Sequence, residues 1–248
     1  MARARHLANA PITEAIIDWR AKLRADFAPD AFKPLKESLR SQFPVMEEQR
    51  GMQAVLEVKS GGLATSETKD FGVRGFFFRS TDRKEIAQFR IDGFTFNRLA
   101  PYTKWTELFP KALELWRTYL QIAKPDVVTR LAVRCVNHIR IPDRDIDFDD
   151  YLAAGPKVPP ELPQIIGGFL TRVVVMDPPK GIGANVTQAL ESALDQRFTT
   201  IIMDIDVYKV DEWQPDDPGV SETFELLHEF RNRVFFSHIT EITAELFE

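Results

Sequence analysis

The chain has 248 residues, 44% hydrophobic and 28% charged, and its 32 basic and 37 acidic side chains leave a formal charge of −5. That balance is typical of globular proteins and excludes wholesale disorder, while the length suits one large domain or two small halves. The single cysteine, Cys135, excludes an internal disulfide and any multi-cysteine zinc site.

No run of about 18 apolar residues is present to span a bilayer. The basic N-terminal stretch MARARHLANAPITEA lacks the apolar core of about 7–15 residues that a secretory signal needs. A cytoplasmic protein without membrane association is therefore expected. No repeat of about 20–50 residues is visible, which argues against solenoids and propellers.

In chain order, residues 13–22 (TEAIIDWRAK) are predicted as a strand with imperfect alternation. Asp30 can cap a helix running through Phe43, with Phe32, Leu35, Leu39 and Phe43 on one stripe and Pro44 as its stop. Residues 55–59 read as a strand and Gly61 and Gly62 as the loop after it. Residues 73–79 and 86–91 flank a polar turn at 80–85, and Gly93 marks a bulge or bend before 94–99. Trp105–Ala123 carries Trp105, Leu108, Phe109, Ala112, Trp116, Tyr119, Leu120 and Ala123 at steps of three and four, a strong helical period. Pro110 should kink it or start a second segment. Val127–Ile141 follows as a long strand. Leu131, Val133, Cys135 and Ile139 share one face; Arg130, Arg134, His138 and Arg140 share the other.

The stretch 141–164 holds five prolines and an acidic run, the composition of a surface connection with a helical turn at 148–153. Beyond it, 169–176 and 199–210 are β-branched strands, and 185–194 fits either a helix or a hairpin strand. A last helix is expected from Ser221 to about Leu246, with Phe224, Leu227, Phe235, His238, Ile239, Ile242 and Leu246 as its apolar stripe. The chain so divides into an α+β N-terminal half (1–142), an acidic proline-rich connector (143–164) and a β-rich C-terminal half (165–248) ending in a long helix. Strands come in runs instead of alternating with helices. The expected class is α+β: mostly antiparallel sheet with amphipathic helices on one side, as one fold or two related halves.

Asp204 and Asp206 in IIMDIDVYKV project to one strand face, where paired carboxylates could hold a divalent cation or divide acid and base roles. Arg130 and Arg134 offer a different partner for them, and a cross-strand ion-pair ladder would satisfy both sets. We take the ladder as the primary reading. The alternative is a small-molecule or anion site in which Arg90, Arg130, Arg134, His138, Asp204 and Asp206 face a cleft and the guanidinium forks grip a carboxylate or phosphate.

Other signals are weaker. KGIGA at 180–184, with Asp204 some distance on, has the outline of a dinucleotide loop. However, Val186 stands where the third glycine belongs and Pro178 and Pro179 break the strand-to-loop turn, so a hairpin loop is expected. Asp143, Asp145, Asp147, Asp149 and Asp150 lack the glycine turn and closing glutamate of a calcium loop. His6, His138, His228 and His238 are scattered, no hydrolase, zinc-protease or P-loop pattern occurs, and Cys135 sits on the apolar side of its strand. No metal or cofactor is expected. A basic N-terminal region in an acidic chain argues against nucleic acid. Phe76, Phe77 and Phe78 in succession must place at least one ring on the opposite side, as core or as a partner surface.

Taken together, LANAPITEAIIDWR, FNRLAPYTKW, LWRTY, TRLAVRCVNHIRIP and IIMDIDVY resemble a sporadically distributed family of uncharacterised bacterial proteins of about this size, over nearly the whole chain. The resemblance implies a bacterial host and a self-contained unit, and patchy distribution suits an accessory defence or toxin-neutralising component. The family has no assigned activity and lends no catalytic residues. A non-catalytic protein is expected, acting through contact with another protein that could be co-encoded, or with a second copy of itself.

Overall fold

A computed structural model describes residues 1–58, 64–102, 104–143, 146–191 and 198–248, with the backbone alone for 53–58 and 64–69. Its strands are β1 (Ile12–Lys22), β2 (Val45–Val58), β3 (Ala64–Arg79), β4 (Glu85–Arg90), β5 (Gly93–Leu99), β6 (Val127–Ile141), β7 (Leu170–Asp177), β8 (Ile182–Leu190) and β9 (Thr199–Trp213). They form one sheet in the order β2-β3-β4-β5-β1-β6-β9-β8-β7, antiparallel throughout. The helices are α1 (Leu35–Ser38), α2 (Trp105–Ala123), α3 (Phe148–Tyr151), α4 (Gly219–His238) and α5 (Glu241–Glu245). The protein is α+β, and none of its described helices is long and apolar enough to cross a membrane.

Alternation decides what each sheet face carries. On β1, Ala15, Ile17, Trp19 and Ala21 are buried. Trp19 stacks on Trp116 of α2 at 5.3 Å and meets Phe224 of α4 at 4.6 Å. On β6, Leu131, Val133, Cys135 and Ile139 lie in the same buried cluster, with Ile201, Met203, Ile205 and Val207 of β9 beside them. Burying each such side chain contributes about 1.5–3 kcal/mol. The intervening residues, Glu14, Asp18 and Arg20 on β1 and Arg130 and Arg134 on β6, emerge on the opposite face. Residues 1–142 and 165–248 thus place neighbouring strands, β6 and β9, side by side in one sheet.

Several elements differ from the sequence expectation for identifiable reasons. The expected helix from Asp30 to Phe43 is a 3₁₀ turn at Pro29–Phe32 followed by the single-turn α1. Pro34 lacks an N–H and interrupts the ladder, and Asp30 pairs with Lys33 at 2.8 Å without capping. Phe32, Leu35 and Phe43 are nonetheless buried. Of the bulge or bend expected at Gly93, the structure shows the bend, as a full reversal: Arg90 pairs with Gly93, so β4 and β5 form a two-residue hairpin through Ile91 and Asp92. At φ +142, with Trp19 O only 1.9 Å from where a Cβ would sit, only glycine fits there. Helix α2 continues past Pro110.

The ambiguous stretch from 185 is strand as far as Leu190, because β7 and β9 pair with it on both sides. Residues 192–194 lie outside the described residues, as do Gly61 and Gly62. The C-terminal helix ends at His238. Ile239 is extended (φ −111, ψ 160) and bridges to Leu152, and Thr240 then caps the short α5. Ile242 and Leu246, expected on the apolar stripe, are exposed because that break turns them out of register with Phe224 and Leu227. Phe76 and Phe78 are core, while Phe77 lies under the Arg79 guanidinium at 5.6 Å.

Candidate functional site

The opposite sheet face carries the residues singled out from sequence. Arg134 stands directly across from Asp206 in the β6–β9 register but reaches one step along to Asp204, with Nε at 2.7 Å and Nη2 at 2.5 Å from its two oxygens. Such a two-point fork is the strongest guanidinium–carboxylate geometry. Arg130 crosses the Tyr208 ring at 4.9 Å and donates from Nη2 to both oxygens of Asp206, at 3.1 and 2.8 Å. Asn185 of β8 donates to the same carboxylate at 3.2 Å.

Deeper in this face, Asp18 is 8% exposed and Arg90 is 6% exposed. Arg90 Nη2 donates to Asp18 at 3.0 Å, Thr95 Oγ1 at 2.5 Å, and Arg20 Nε at 3.2 Å. Burial pushes the Asp18 carboxyl up, but Arg90, Arg20 and Thr95 together outweigh it and hold it below the usual carboxylate range. Arg90 also donates to Asp92 at 3.0 Å and to Thr95, and Arg20 reaches Asp92 at 2.6 Å. The four arginines each hold at least one carboxylate. Arg90, Arg130, Arg134 and Asp206 line a shallow hollow of about 580 Å³ with Asp18. Asp204 lies beside it on Arg134. His138 stands apart, its Nδ1 4.0 Å from Glu191. Among the described residues no three His, Cys, Asp or Glu side chains gather to hold a metal ion.

The remaining sequence candidates fall in structural roles. Residues 178–181 connect β7 to β8 as a hairpin turn, with Gly181 left-handed at φ +63. Asp147 caps α3 by accepting from Asp149 N at 2.9 Å, whereas Asp145 lies outside the described residues. Cys135 is buried, and desolvation pushes its thiol up, which disfavours the thiolate.

A second cavity, about 690 Å³, lies on the helix-bearing side, between the segment 4–12, the start of α2 and α4. Sequence inspection passed over its central residue, Arg231, which is 6% exposed. Arg231 makes no ion pair among the described residues, and its Nε has no hydrogen-bond partner. On the same wall His228 lies flat on Trp105, centroids 4.3 Å apart and planes 3° apart, and Trp105 stacks in turn on Phe109 at 5.0 Å. Burial, and then the charge of Arg231, lower the His228 pKa to about 4, so the ring is neutral near pH 7. Burial likewise raises the Tyr102 hydroxyl to about 12 against the charge and hydrogen bonding of Arg231, keeping it protonated. Asn137 in the lining donates to Met203 O at 2.9 Å, and its Oδ1 is buried without a partner among the described residues. The one signal in the sequence is positional: Arg231 falls four residues after Leu227 and four before Phe235, in the middle of an apolar row.

Neither a known family model nor a curated protein matches this chain.

Proposed function

We propose that the protein acts without catalysis, by binding another protein that lays an extended segment along β7. The observation that carries this is the edge itself. β7 ends the sheet, and Leu170, Val173, Val174 and Met176 are exposed on it, distributed over both faces by strand alternation. An apolar edge of eight residues, with no strand paired to its outer side among the described residues, is a template for strand addition, in which backbone hydrogen bonds supply affinity and alternate side chains supply specificity. Arg172 has no carboxylate partner among the described residues; its one contact is Asn185 Oδ1 at 3.5 Å. The partner segment accordingly carries apolar residues toward both faces and an acidic residue opposite Arg172. The neutralised arginines on the sheet face support the absence of chemistry and count against a small-molecule or anion site there.

Peptide display against the wild type tests this, with Val173→Lys/Val174→Lys as the counter-selection. Both valines are more than half exposed, so the variant should fold, and lysine on an edge is an established block to pairing. Enriched segments should be extended and apolar with one acid. They should protect the amides of β7 from hydrogen exchange and lose affinity for the double variant at least tenfold. Segments that bind both proteins equally, or no enrichment, would overturn the assignment.

A further inference from the structure

Buried arginines are ordinarily matched by a carboxylate, because an unpaired charge out of water is costly. On the sheet face Arg20, Arg90, Arg130 and Arg134 obey that rule, and among the described residues the buried Arg231 departs from it. Its guanidinium lines a cavity and lies within the influence of Tyr102 and His228, both neutral near pH 7. Helix α2 begins at the same cavity, at Lys104 and Trp105, with no side chain capping its first turn among the described residues, so the positive end of its dipole adds to the field of Arg231. Among the described residues the only carboxylate in the lining is Glu107. Arg5, also in the lining, is engaged by Glu241 and Glu248 at 2.7 Å each.

We propose that this cavity is a binding site for a small organic monocarboxylate with an apolar, flat body, its carboxylate held by Arg231 and its body by the ring surface of His228 and the side chains of Leu7, Ile12 and Phe235. With Arg5 held by its two glutamates and Lys104 set against Glu107 in the lining, Arg231 leaves one positive charge to balance one negative charge on a ligand. A dianionic phosphate would leave excess charge in a chain already at −5, with His228 unable to offset it. The volume falls within the range of small-molecule sites, about 300–1,000 Å³. Two rings of the Phe109, Trp105 and His228 stack, Trp105 and His228, line the cavity, and such flat ring surface favours a planar ligand. The proposal stands independently of strand addition at β7, on the other side of the molecule's chemistry: an interior site for a small acid in place of an edge for a polypeptide.

Calorimetric titration of the full chain near pH 8, where inorganic phosphate is mainly the dianion, tests it, with phenylacetate and hexanoate as monocarboxylates, phenylacetamide as the uncharged analogue of the first, and inorganic phosphate as the doubly charged probe. Phenylacetate should bind more tightly than hexanoate, and phenylacetamide and phosphate at least tenfold more weakly. Arg231→Met should weaken phenylacetate at least tenfold while raising the melting temperature of the ligand-free protein, since methionine removes an unmatched charge and fills the same space. An arginine with a purely structural role would lower that temperature instead. Arg231→Lys, which keeps the charge and loses the fork, carries the test should Arg231→Met fail to fold. It too should weaken phenylacetate. Equal binding of phenylacetate and phenylacetamide, absence of phenylacetate binding at millimolar concentration, or unchanged affinity in the folded Arg231 variants would overturn the proposal.

Discussion

Replacing Asp18 by asparagine keeps the shape of a buried side chain and deletes the charge that holds the sheet-face network together. Asp18 accepts from Arg90, Thr95 and Arg20 and lies 3.6 Å from Arg130 Nη1, and both it and Arg90 are more than nine-tenths buried. Breaking a buried pair by removing one partner typically costs about 3–5 kcal/mol. Arg90 keeps Asp92 at 3.0 Å, half exposed, which should bring the loss to about 2–4 kcal/mol. Urea unfolding of Asp18→Asn, Arg90→Met and the double variant measures it. The double variant should lose at least about 1.5 kcal/mol less than the sum of the singles, because removing both charges leaves neither stranded. The sign with pH is also set. The folded-state pKa of Asp18 lies below its unfolded value, so its contribution is complete above the unfolded value near pH 4 and is lost as pH falls through the lower, folded one. Acid unfolding of the wild type should therefore show a decline that Asp18→Asn lacks. A single-variant loss under about 0.5 kcal/mol, with additive singles, would refute mutual neutralisation.

Two further outcomes follow from packing and titration. Gly93→Ala should cost roughly 2–4 kcal/mol in chemical unfolding, since its Cβ would collide with the Trp19 carbonyl at a φ of +142; a neutral alanine would mean that β4 and β5 are not joined by this hairpin. His228 should titrate near pH 4 by proton NMR of its ring. Because the unfolded chain binds that proton more readily, stability should rise with pH between about 4 and 6.5, by about 1–2 kcal/mol after allowing for the ring's partial exposure. His228→Phe should flatten that slope.

Period was the most informative property of this sequence. The alternation of Leu131, Val133 and Cys135 with Arg130 and Arg134 located both faces of β6, and the three-four spacing from Trp105 to Ala123 located α2, because each is a local pattern whose buried half is self-evident. Where the deciding partner is distant, the pattern was mute. Residues 182–190 become strand through β7 and β9, and the run of good helix formers in that stretch does not overcome two flanking ladders. The over-long C-terminal helix had a related cause: Ile239 continues an apolar stripe, yet its bridge to Leu152 pulls it into extended backbone. In the candidate sites, Arg–Asp pairing was legible because both partners lie on strands with clear faces. Arg231 was not, since nothing local tells whether a charged side chain in an apolar helical row is buried, and the Trp105–His228 stack joins residues far apart in sequence.

The direct measurement is arginine side-chain NMR of the folded protein during titration with sulfate, phosphate and nucleotides. The Nε–H groups of Arg90 and Arg134 are engaged by Asp92 and Asp204. Their signals should be protected from solvent exchange and unmoved by any of these anions at millimolar concentration. Saturable shifts of either signal would mean that the sheet face takes a guest, contradicting a protein that binds partners without chemistry of its own.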